Sequence, residues 1–343
     1  MDSLILFSLA GGLFLGWALG ANDSANVFGT AVGTRLLRFR TAAILCSVGI
    51  LLGAVISGAG PTATLGKLAA ISSLHEAGIA SASAGLTVFL MTRKGLPVST
   101  SQAIVGALIG WNIANSMQTD VTVITKIVST WIICPLLAAV IAAALLPLTG
   151  LAVKASRMRL LQLDAVTRWA LVLAGFFGAY SLGANNIANV MGPFAHSINF
   201  ETLNIANLVY LSPLQQLFLL GSIAVAVGVF TYSRQVMMTV GKDLFELSPV
   251  AGWVVVMAHS IVLFIFTSVT LSQWVATTGL PAIPLVPVSS SQAVIGAVIG
   301  IGLIRGRHGI RWRVLGGIGL GWLMTPLVAG ALCFGALTLI RFV

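Results

Sequence analysis

Long apolar segments separated by short polar breaks run through almost the whole chain. The pattern predicts ten membrane segments, at residues 4–30, 41–59, 77–92, 97–115, 121–149, 169–193, 203–232, 249–271, 283–304 and 313–341. The segments have 16 to 30 residues, and a helix needs roughly 20 to cross a bilayer. For segments 97–115 and 283–304, the pattern leaves open whether they cross fully or turn back.

The amino-acid composition supports a membrane environment. Only 8% of the 343 residues are charged and 58% are hydrophobic, whereas soluble proteins carry about 25% charged residues. Ten segments leave no room for a sizeable soluble domain, so we expect an all-α polytopic membrane protein and not an enzyme. The cysteines Cys46, Cys134 and Cys333 lie in apolar segments without metal-ligand spacing, which is typical of small core residues.

The basic residues predict how the chain crosses the membrane. With the N-terminus outside, one side holds only Lys67, Lys126 and Arg341. The other side collects fifteen: Arg35, Arg38, Arg40, Arg93, Lys94, Lys154, Arg157, Arg159, Arg168, Arg234, Lys242, Arg305, Arg307, Arg311 and Arg313. The positive-inside rule therefore favours both termini outside a cell (plasma) membrane, with no cleaved signal peptide. Membrane lipid, and not nucleic acid, is the expected partner of this charge.

Two motifs occur twice, in the same order. The sequence G-A-N-D-S-A-N-V-F-G at residues 20–29 returns as G-A-N-N-I-A-N-V-M-G at 183–192, and P-V-S-T-S-Q at 97–102 returns as P-V-S-S-S-Q at 287–292. Each half holds five segments, so equivalent segments cross in opposite directions. We predict two inverted-topology repeats with broken or re-entrant helices, at residues 1–149 and 169–343, joined by a basic cytoplasmic linker at 150–168. Such repeats are typical of transporters, which hold substrates near the membrane midplane.

The first motif predicts a cation site. A carboxylate in the membrane needs a cation, a proton or a basic partner, and Na⁺ prefers oxygen ligands such as Asp23 and nearby amides. A cap at a helix end is the alternative for a single copy, but the second copy favours a site. The candidate cation-binding residues are Asn22, Asp23, Asn26, Asn185, Asn186 and Asn189, with Asp23 the Na⁺ ligand if transport is sodium-coupled.

The second motif predicts an anion site at helix N-termini. Free backbone N–H groups, hydroxyl donors and the positive end of the helix dipole together bind an anion without Lys or Arg. A small-residue packing face is the alternative. The candidate anion-binding residues are Ser99, Thr100, Ser101 and Gln102 in the first copy, and Ser289, Ser290, Ser291 and Gln292 in the second. Two such N-termini facing one another would bracket one tetrahedral oxyanion.

One histidine in an apolar segment is not assigned to either site. His259 is a candidate proton relay or a neutral histidine bonded to a neighbouring carbonyl, and the sequence favours the second interpretation.

The duplicated motifs resemble those of the inorganic phosphate transporter (PiT) family, the sodium-dependent phosphate permease type, which has sulfate-permease relatives. The resemblance covers nearly the whole chain. It implies cation-coupled phosphate uptake, two re-entrant hairpins, and often a homodimer. This sequence has Asn186 where the family usually has an aspartate, and Gln102 and Gln292 where many members have a histidine. These changes remove titratable groups. Phosphate at neutral pH carries a proton that needs an acceptor, whereas sulfate carries none, so the changes favour sulfate.

The leading functional hypothesis is a secondary symporter that takes up a tetrahedral oxyanion together with Na⁺ or H⁺ by alternating access. Inorganic phosphate is favoured over sulfate, and no cofactor beyond the co-transported cation is expected. An anion channel is a weaker alternative. An intramembrane serine hydrolase is weaker still, because no histidine lies beside either serine cluster. The chain contains no G-x-x-x-x-G-K-[ST] loop for ATP.

Overall fold

The computed structural model describes residues 3–93, 98–198, 200–205, 209–239, 248–306 and 312–342. These residues form helices and one short β-hairpin. The helices of the first half are α1 (Ser3–Gly33), α2 (Phe39–Ser57), α3 (Ala59–Leu68), α4 (Leu74–Arg93), α5 (Thr100–Ala114) and α6 (Val121–Ser156). The second half contains α7 (Leu160–Met191), a 3₁₀ turn (Gly192–Phe194), β1 (Leu203–Ile205), β2 (Val209–Leu211), α8 (Pro213–Thr231), α9 (Ser233–Thr239), α10 (Pro249–Thr267), α11 (Val269–Thr277), α12 (Ser290–Ile304) and α13 (Trp312–Phe342).

Most of the described helices are long enough for a bilayer. Seven stretches are long and apolar enough to cross: Phe39–Ser57, Leu74–Arg93, Val121–Ser156, Leu160–Phe194, Pro213–Thr231, Pro249–Thr267 and Leu315–Arg341. Helix α1, with 31 residues, also exceeds the roughly 20 that a span needs. The predicted polytopic membrane protein is therefore confirmed.

Helices α5 and α12 are too short to cross alone. Each has 15 residues, which corresponds to about 22 Å of helix against a hydrocarbon core of about 30 Å. Both begin among buried residues. Segments 97–115 and 283–304 therefore contain helices that start inside the protein, as broken or re-entrant helices do. Pro97, the first residue of one predicted segment, lies outside the described residues.

The prediction of one helix over residues 203–232 is wrong at its start. Strands β1 (Leu203–Ile205) and β2 (Val209–Leu211) pair antiparallel there, with Leu203 opposite Leu211. Helix α8 begins only at Pro213, where Ser212 and Gln215 form a capping box. Ser-Pro with Gln three residues after the serine is a helix-start signal. The apolar residues before it concealed this boundary.

Other boundaries differ from the predicted ones. The prediction over 249–271 spans a break at Ser268, which ends α10 and whose side chain caps α11. The predicted linker 150–168 is mostly helical, because α6 runs to Ser156 and α7 begins at Leu160. Four of the basic residues used to predict the orientation, Lys94, Lys242, Arg307 and Arg311, lie outside the described residues, and the orientation stays a prediction.

The two halves of the chain interlock. Helix α1 packs on α8, and its counterpart α7 packs on α2. In the same way α5 packs on α13 of the other half, and α12 packs on α6. Because each half supplies the packing partners of the other, the buried core is shared between them. The matched contacts agree with a repeat, while the opposite membrane directions of the halves stay a prediction.

Glycines allow the two short helices to approach their partners closely. A Cβ placed on Gly106 of α5 would lie 2.1 Å from the carbonyl oxygen of Pro326, and one on Gly296 of α12 would lie 2.1 Å from that of Pro135. Small residues at helix contacts are how membrane helices bring their backbones together. The packing interpretation of the Gly-spaced runs is therefore correct for these positions.

We expect Gly106→Ala and Gly296→Ala each to destabilise the protein by about 1–3 kcal/mol, the usual cost of overpacking. The methyl group would meet a backbone oxygen that cannot move without shifting a long helix. Thermal unfolding in detergent should show a midpoint lowered by about 5 °C. The matched control is Gly335→Ala in α13, where a Cβ meets no atom within 4 Å. An equal effect of all three substitutions would contradict this packing account.

Candidate functional site

The N-termini of the two short helices face one another. Ser101 Oγ of α5 donates to the carbonyl oxygen of Val288 at 3.1 Å, and Ser291 Oγ of α12 donates to that of Val98 at 2.7 Å. These two bonds are equivalent under the repeat, because residues 98 and 101 correspond to 288 and 291. The structure therefore brings together the two serine-rich motifs, which are 190 residues apart in the chain.

The two outer serines of these motifs cap their helices. Ser99 Oγ accepts a hydrogen bond from Gln102 N, and Ser289 Oγ accepts one from Gln292 N, each at 3.3 Å. A cap of this kind fixes where the helix begins. Ser99 and Ser289 therefore fix the starts of α5 and α12, and each hydroxyl group keeps its own hydrogen to donate.

Several buried polar atoms in the motifs have no protein partner. Thr100 Oγ1, Gln102 Oε1 and Gln292 Oε1 lack a hydrogen-bond partner among the residues that the structure describes. Buried polar atoms in proteins are nearly always paired, and an unpaired one calls for an explanation such as a bound ligand. The Thr100 hydroxyl and the first N–H groups of α5 and α12 are donors that suit an anion, whereas the two glutamine oxygens can only accept a hydrogen bond.

The second asparagine motif, on α7, binds the backbone just before α12. Asn185 donates from Nδ2 to Val288 O at 2.8 Å and accepts from Val288 N at 2.9 Å, so its side chain pairs with a backbone unit as a strand would. Asn189 Nδ2 donates to Ser101 Oγ at 2.9 Å. The cation and anion motifs predicted from the sequence thus form one connected cluster.

Asp23 lies at the end of this network. Asn186 Nδ2 donates to Asp23 Oδ2 at 3.1 Å, while Asn186 Oδ1 accepts from both Asn185 and Asn189. Asp23 is 2% exposed, and its Oδ1 has no partner within the described ranges. Asn186, which replaces the family's usual aspartate, is a neutral donor to the one carboxylate that remains.

The surroundings of Asp23 suit a monovalent cation or a proton. In the described part of the chain the one salt bridge joins Arg168 to Asp164 on the surface, so Asp23 lacks a basic partner there. Asn189 Oδ1 is also buried without a partner in these residues. Carboxylate and amide oxygens are the ligands that hard cations prefer, and a buried carboxylate needs such a charge.

The first asparagine motif, on α1, makes different contacts from its counterpart. Asn22 donates to Thr92 Oγ1 at 2.9 Å, and Asn26 donates to Ser290 Oγ at 2.9 Å. Asn26 is partly exposed, whereas Asn185 and Asn189 are completely buried. The contacts of the two asparagine motifs are therefore asymmetric.

His259 is a site residue that the sequence did not reveal. Its Nε2 lies 2.9 Å from Ser290 Oγ, and the ring is completely buried. The expected bond to a neighbouring carbonyl is not the contact observed at this nitrogen. No local signal could have found it, because a single histidine in an apolar helix does not indicate a partner 31 residues away.

Comparison with known proteins identifies the family of this chain. The sequence profile of the phosphate transporter family matches residues 19–333, which include both copies of both motifs. The chain belongs to the phosphate transporter family.

Relatives within the phosphate transporter family carry two kinds of name. "Putative phosphate permease MJ0630" of Methanocaldococcus jannaschii is 27% identical over 317 residues, covering 92% of this chain and 91% of that protein. Sulfate permease CysP of Bacillus subtilis is 29% identical over 333 residues, covering 95% of this chain and 84% of that protein. The protein is therefore a membrane transporter of this family and not an enzyme, which removes the hydrolase alternative.

A solved structure shares the fold of this phosphate transporter family member. The structure described as the sodium-dependent phosphate transporter superposes with a TM-score of 0.78 over the full length of both chains, at 21% identity. At that identity the likeness establishes the fold alone, and the chemistry of the site must be argued from its own residues.

Proposed function

We propose that this protein is a secondary symporter that takes up a small tetrahedral oxyanion, with inorganic phosphate favoured, coupled to Na⁺ or H⁺ by alternating access. The observation that carries the proposal is the pair of helix N-termini, joined by reciprocal bonds from Ser101 and Ser291 and linked through Asn189 and Asn186 to Asp23. One connected cluster thus offers donors to an anion and a carboxylate to a cation.

The anion would lie between the N-termini of α5 and α12. Two helix dipoles point their positive ends into this region, and the hydroxyl groups of Thr100 and Ser290 add donors around it, while those of Ser101 and Ser291 are used in the bonds that join the two N-termini. Such a site attracts a multivalent anion without a buried lysine or arginine. The wide separation of the two motifs in the chain means that the pocket exists only when both halves are folded.

The cation would lie at Asp23 Oδ1 and neutral amide oxygens near it. Coupling is required on energetic grounds, because an inside-negative potential opposes an entering anion by about 2.3 kcal/mol per charge per 100 mV. Accumulation of a divalent anion therefore needs at least two positive charges to enter with it. The sodium-dependent transporter of the same fold supports Na⁺ as the first cation to test, and H⁺ is the alternative.

Asymmetry between the repeats supports alternating access. Asn185 binds both backbone groups of Val288, while its counterpart Asn22 bonds instead to Thr92. Under the repeat, the opposite state would have Asn22 bound to Val98 and Asn185 released. A transporter built from two equivalent halves changes access when the halves exchange their contacts in this way.

Two observations bear on the choice between phosphate and sulfate. The unpartnered amide oxygens of Gln102 and Gln292 can accept the hydrogen of a protonated phosphate oxygen, a role that does not require a titratable side chain. These acceptors favour phosphate over sulfate. The sulfate permease relative, at 29% identity, makes sulfate the second candidate.

We further propose that the protein lies in the plasma membrane with both termini outside, and that it forms a homodimer within the lipid. The orientation rests on the distribution of basic residues, and the dimer rests on the family resemblance alone.

Uptake of radiolabelled phosphate and sulfate, measured separately in proteoliposomes under imposed Na⁺ or H⁺ gradients, tests the proposed function. We expect phosphate to accumulate above its external concentration with one of the gradients, and sulfate to accumulate less. Accumulation of sulfate with little phosphate would assign the protein as a sulfate permease. Equilibration without a gradient would indicate a channel, and uptake of neither anion would contradict the oxyanion site.

A further inference from the structure

A buried histidine reaches the anion site from a helix outside both duplicated motifs. His259 lies on α10, and its Nε2 is 2.9 Å from the hydroxyl oxygen of Ser290. The same oxygen accepts a hydrogen bond from Asn26 Nδ2, also at 2.9 Å. Ser290 is the first residue of α12, so its hydroxyl group stands beside the N-terminus that faces the anion.

The contacts of the imidazole ring decide which of its nitrogens carries hydrogen. Nδ1 of His259 has no hydrogen-bond partner among the described residues. A buried N–H left without an acceptor is rarer and more costly than an unused lone pair. On this ground we assign the hydrogen to Nε2, which makes His259 the donor to Ser290.

This tautomer determines what Ser290 can do. A serine hydroxyl has two lone pairs and one hydrogen. Asn26 and His259 together occupy both lone pairs, which leaves the hydroxyl hydrogen directed away from both donors. Ser290 is then a fixed donor, as an oxyanion site requires.

Among the described residues, the first repeat has no counterpart of the contact between His259 and Ser290. Thr100 is the counterpart of Ser290, and its Oγ1 has no partner within the described ranges. Helix α4, which packs on α5 as α10 packs on α12, contains no titratable residue between Glu76 and Arg93. The histidine contact is thus found at the second motif and not at its counterpart among the described residues of the first half.

We propose that His259 is a positioning residue that holds Ser290 as a hydrogen-bond donor to the transported oxyanion and thereby sets the affinity for it. The inference rests on the proposed oxyanion transport. A hydrogen bond to a charged group contributes enough that its loss weakens binding roughly ten- to a hundredfold. The loss should appear in the KM for the anion, while the maximal rate and the cation dependence change little.

Two amide substitutions of the same chemistry separate this role from a structural one. In His259→Gln the amide nitrogen reaches about as far as Nε2, whereas in His259→Asn it reaches only as far as Nδ1. We expect His259→Asn to raise the KM for phosphate at least tenfold, and His259→Gln to keep it within about threefold of the unaltered protein. Equal KM values for the two variants, whether high or low, would overturn the proposal.

A double-mutant cycle with Ser290→Ala tests whether the histidine acts through the serine. Ser290→Ala should raise the KM by a similar factor, and adding His259→Asn should then raise it no further, because the effects of residues that act as one unit are not additive. If the KM increase of the double variant equals the product of the two single increases, His259 acts independently of Ser290, and the proposal is wrong.

An observation that does not depend on transport separates this inference from the proposed function. Nitrogen NMR of protein with ¹⁵N-labelled histidine rings, assigned by comparison with His259→Asn, reports which nitrogen of His259 carries hydrogen. Hydrogen on Nε2 is the expected result. Hydrogen on Nδ1 overturns the proposal whatever the protein transports, whereas failure of the proposed function would leave the unaltered protein without anion uptake and Nε2 still protonated.

Discussion

Replacement of Asp23 by asparagine should abolish concentrative uptake while leaving the protein folded. The asparagine Oδ1 can still accept the bond from Asn186 that now reaches the carboxylate at 3.1 Å, but the charge that attracts a cation is lost. Without cations, a potential of −100 mV opposes a divalent anion by about 4.6 kcal/mol, an exclusion on the order of a thousandfold. The internal anion concentration in Asp23→Asn proteoliposomes should therefore stay below the external one.

The matched control for this substitution is Asp164→Asn. It removes the same charge from the exposed pair with Arg168, a kind of surface ion pair that contributes little to stability. We expect the control to accumulate phosphate as the unaltered protein does, and both variants to show unaltered thermal midpoints. If Asp23→Asn accumulates phosphate as the control does, Asp23 does not couple the cation to the anion.

Asn185→Ala should shift the protein toward its opposite state. The substitution removes both side-chain partners of a buried backbone unit at Val288, and each buried group left unsatisfied costs about 1–3 kcal/mol. A cost of about 2 kcal/mol moves a two-state equilibrium roughly thirtyfold. The state described here should therefore lose most of its population, and uptake should become slow.

Labelling of a cysteine on α1 detects this shift. Thr30 is partly exposed and lies one helical turn after Asn26 on α1, so Thr30→Cys, with the three buried native cysteines replaced by alanine, should react with a maleimide. We expect Asn185→Ala to slow this labelling about tenfold. Asn22→Ala, the same substitution at the equivalent position, should leave labelling as fast or faster. The same direction of change in both variants would contradict the exchange of contacts between the repeats.

The sequence predicted the parts of the site that are duplicated. Asp23, Asn186 and the two serine motifs could be found because polar residues are costly in a membrane and their repetition excludes chance. The pattern also placed the short helices correctly, since a proline and a serine cap precede each polar run. What it could not show was which of these side chains would bond to which, because every such contact joins distant parts of the chain.

Features that occur once were harder to predict. His259 belongs to an apolar helix whose sequence resembles any buried span, and its partner Ser290 is known only from the fold. The strands β1 and β2 were concealed because their apolar residues continue into α8, and hydrophobicity alone does not distinguish a short strand from the start of a helix. The break at Ser268 lies inside a similarly continuous apolar run.

Coupled flux of the cation and the anion tests the central claim most directly. Proteoliposomes of the unaltered protein would be given an inward gradient of phosphate, equal Na⁺ on both sides, and no membrane potential, with the entry of ²²Na⁺ and labelled phosphate counted together. We predict that the phosphate gradient draws net Na⁺ inward in a fixed ratio, or H⁺ when protons are followed by an internal pH dye. Phosphate entry without net movement of either cation would contradict a symporter.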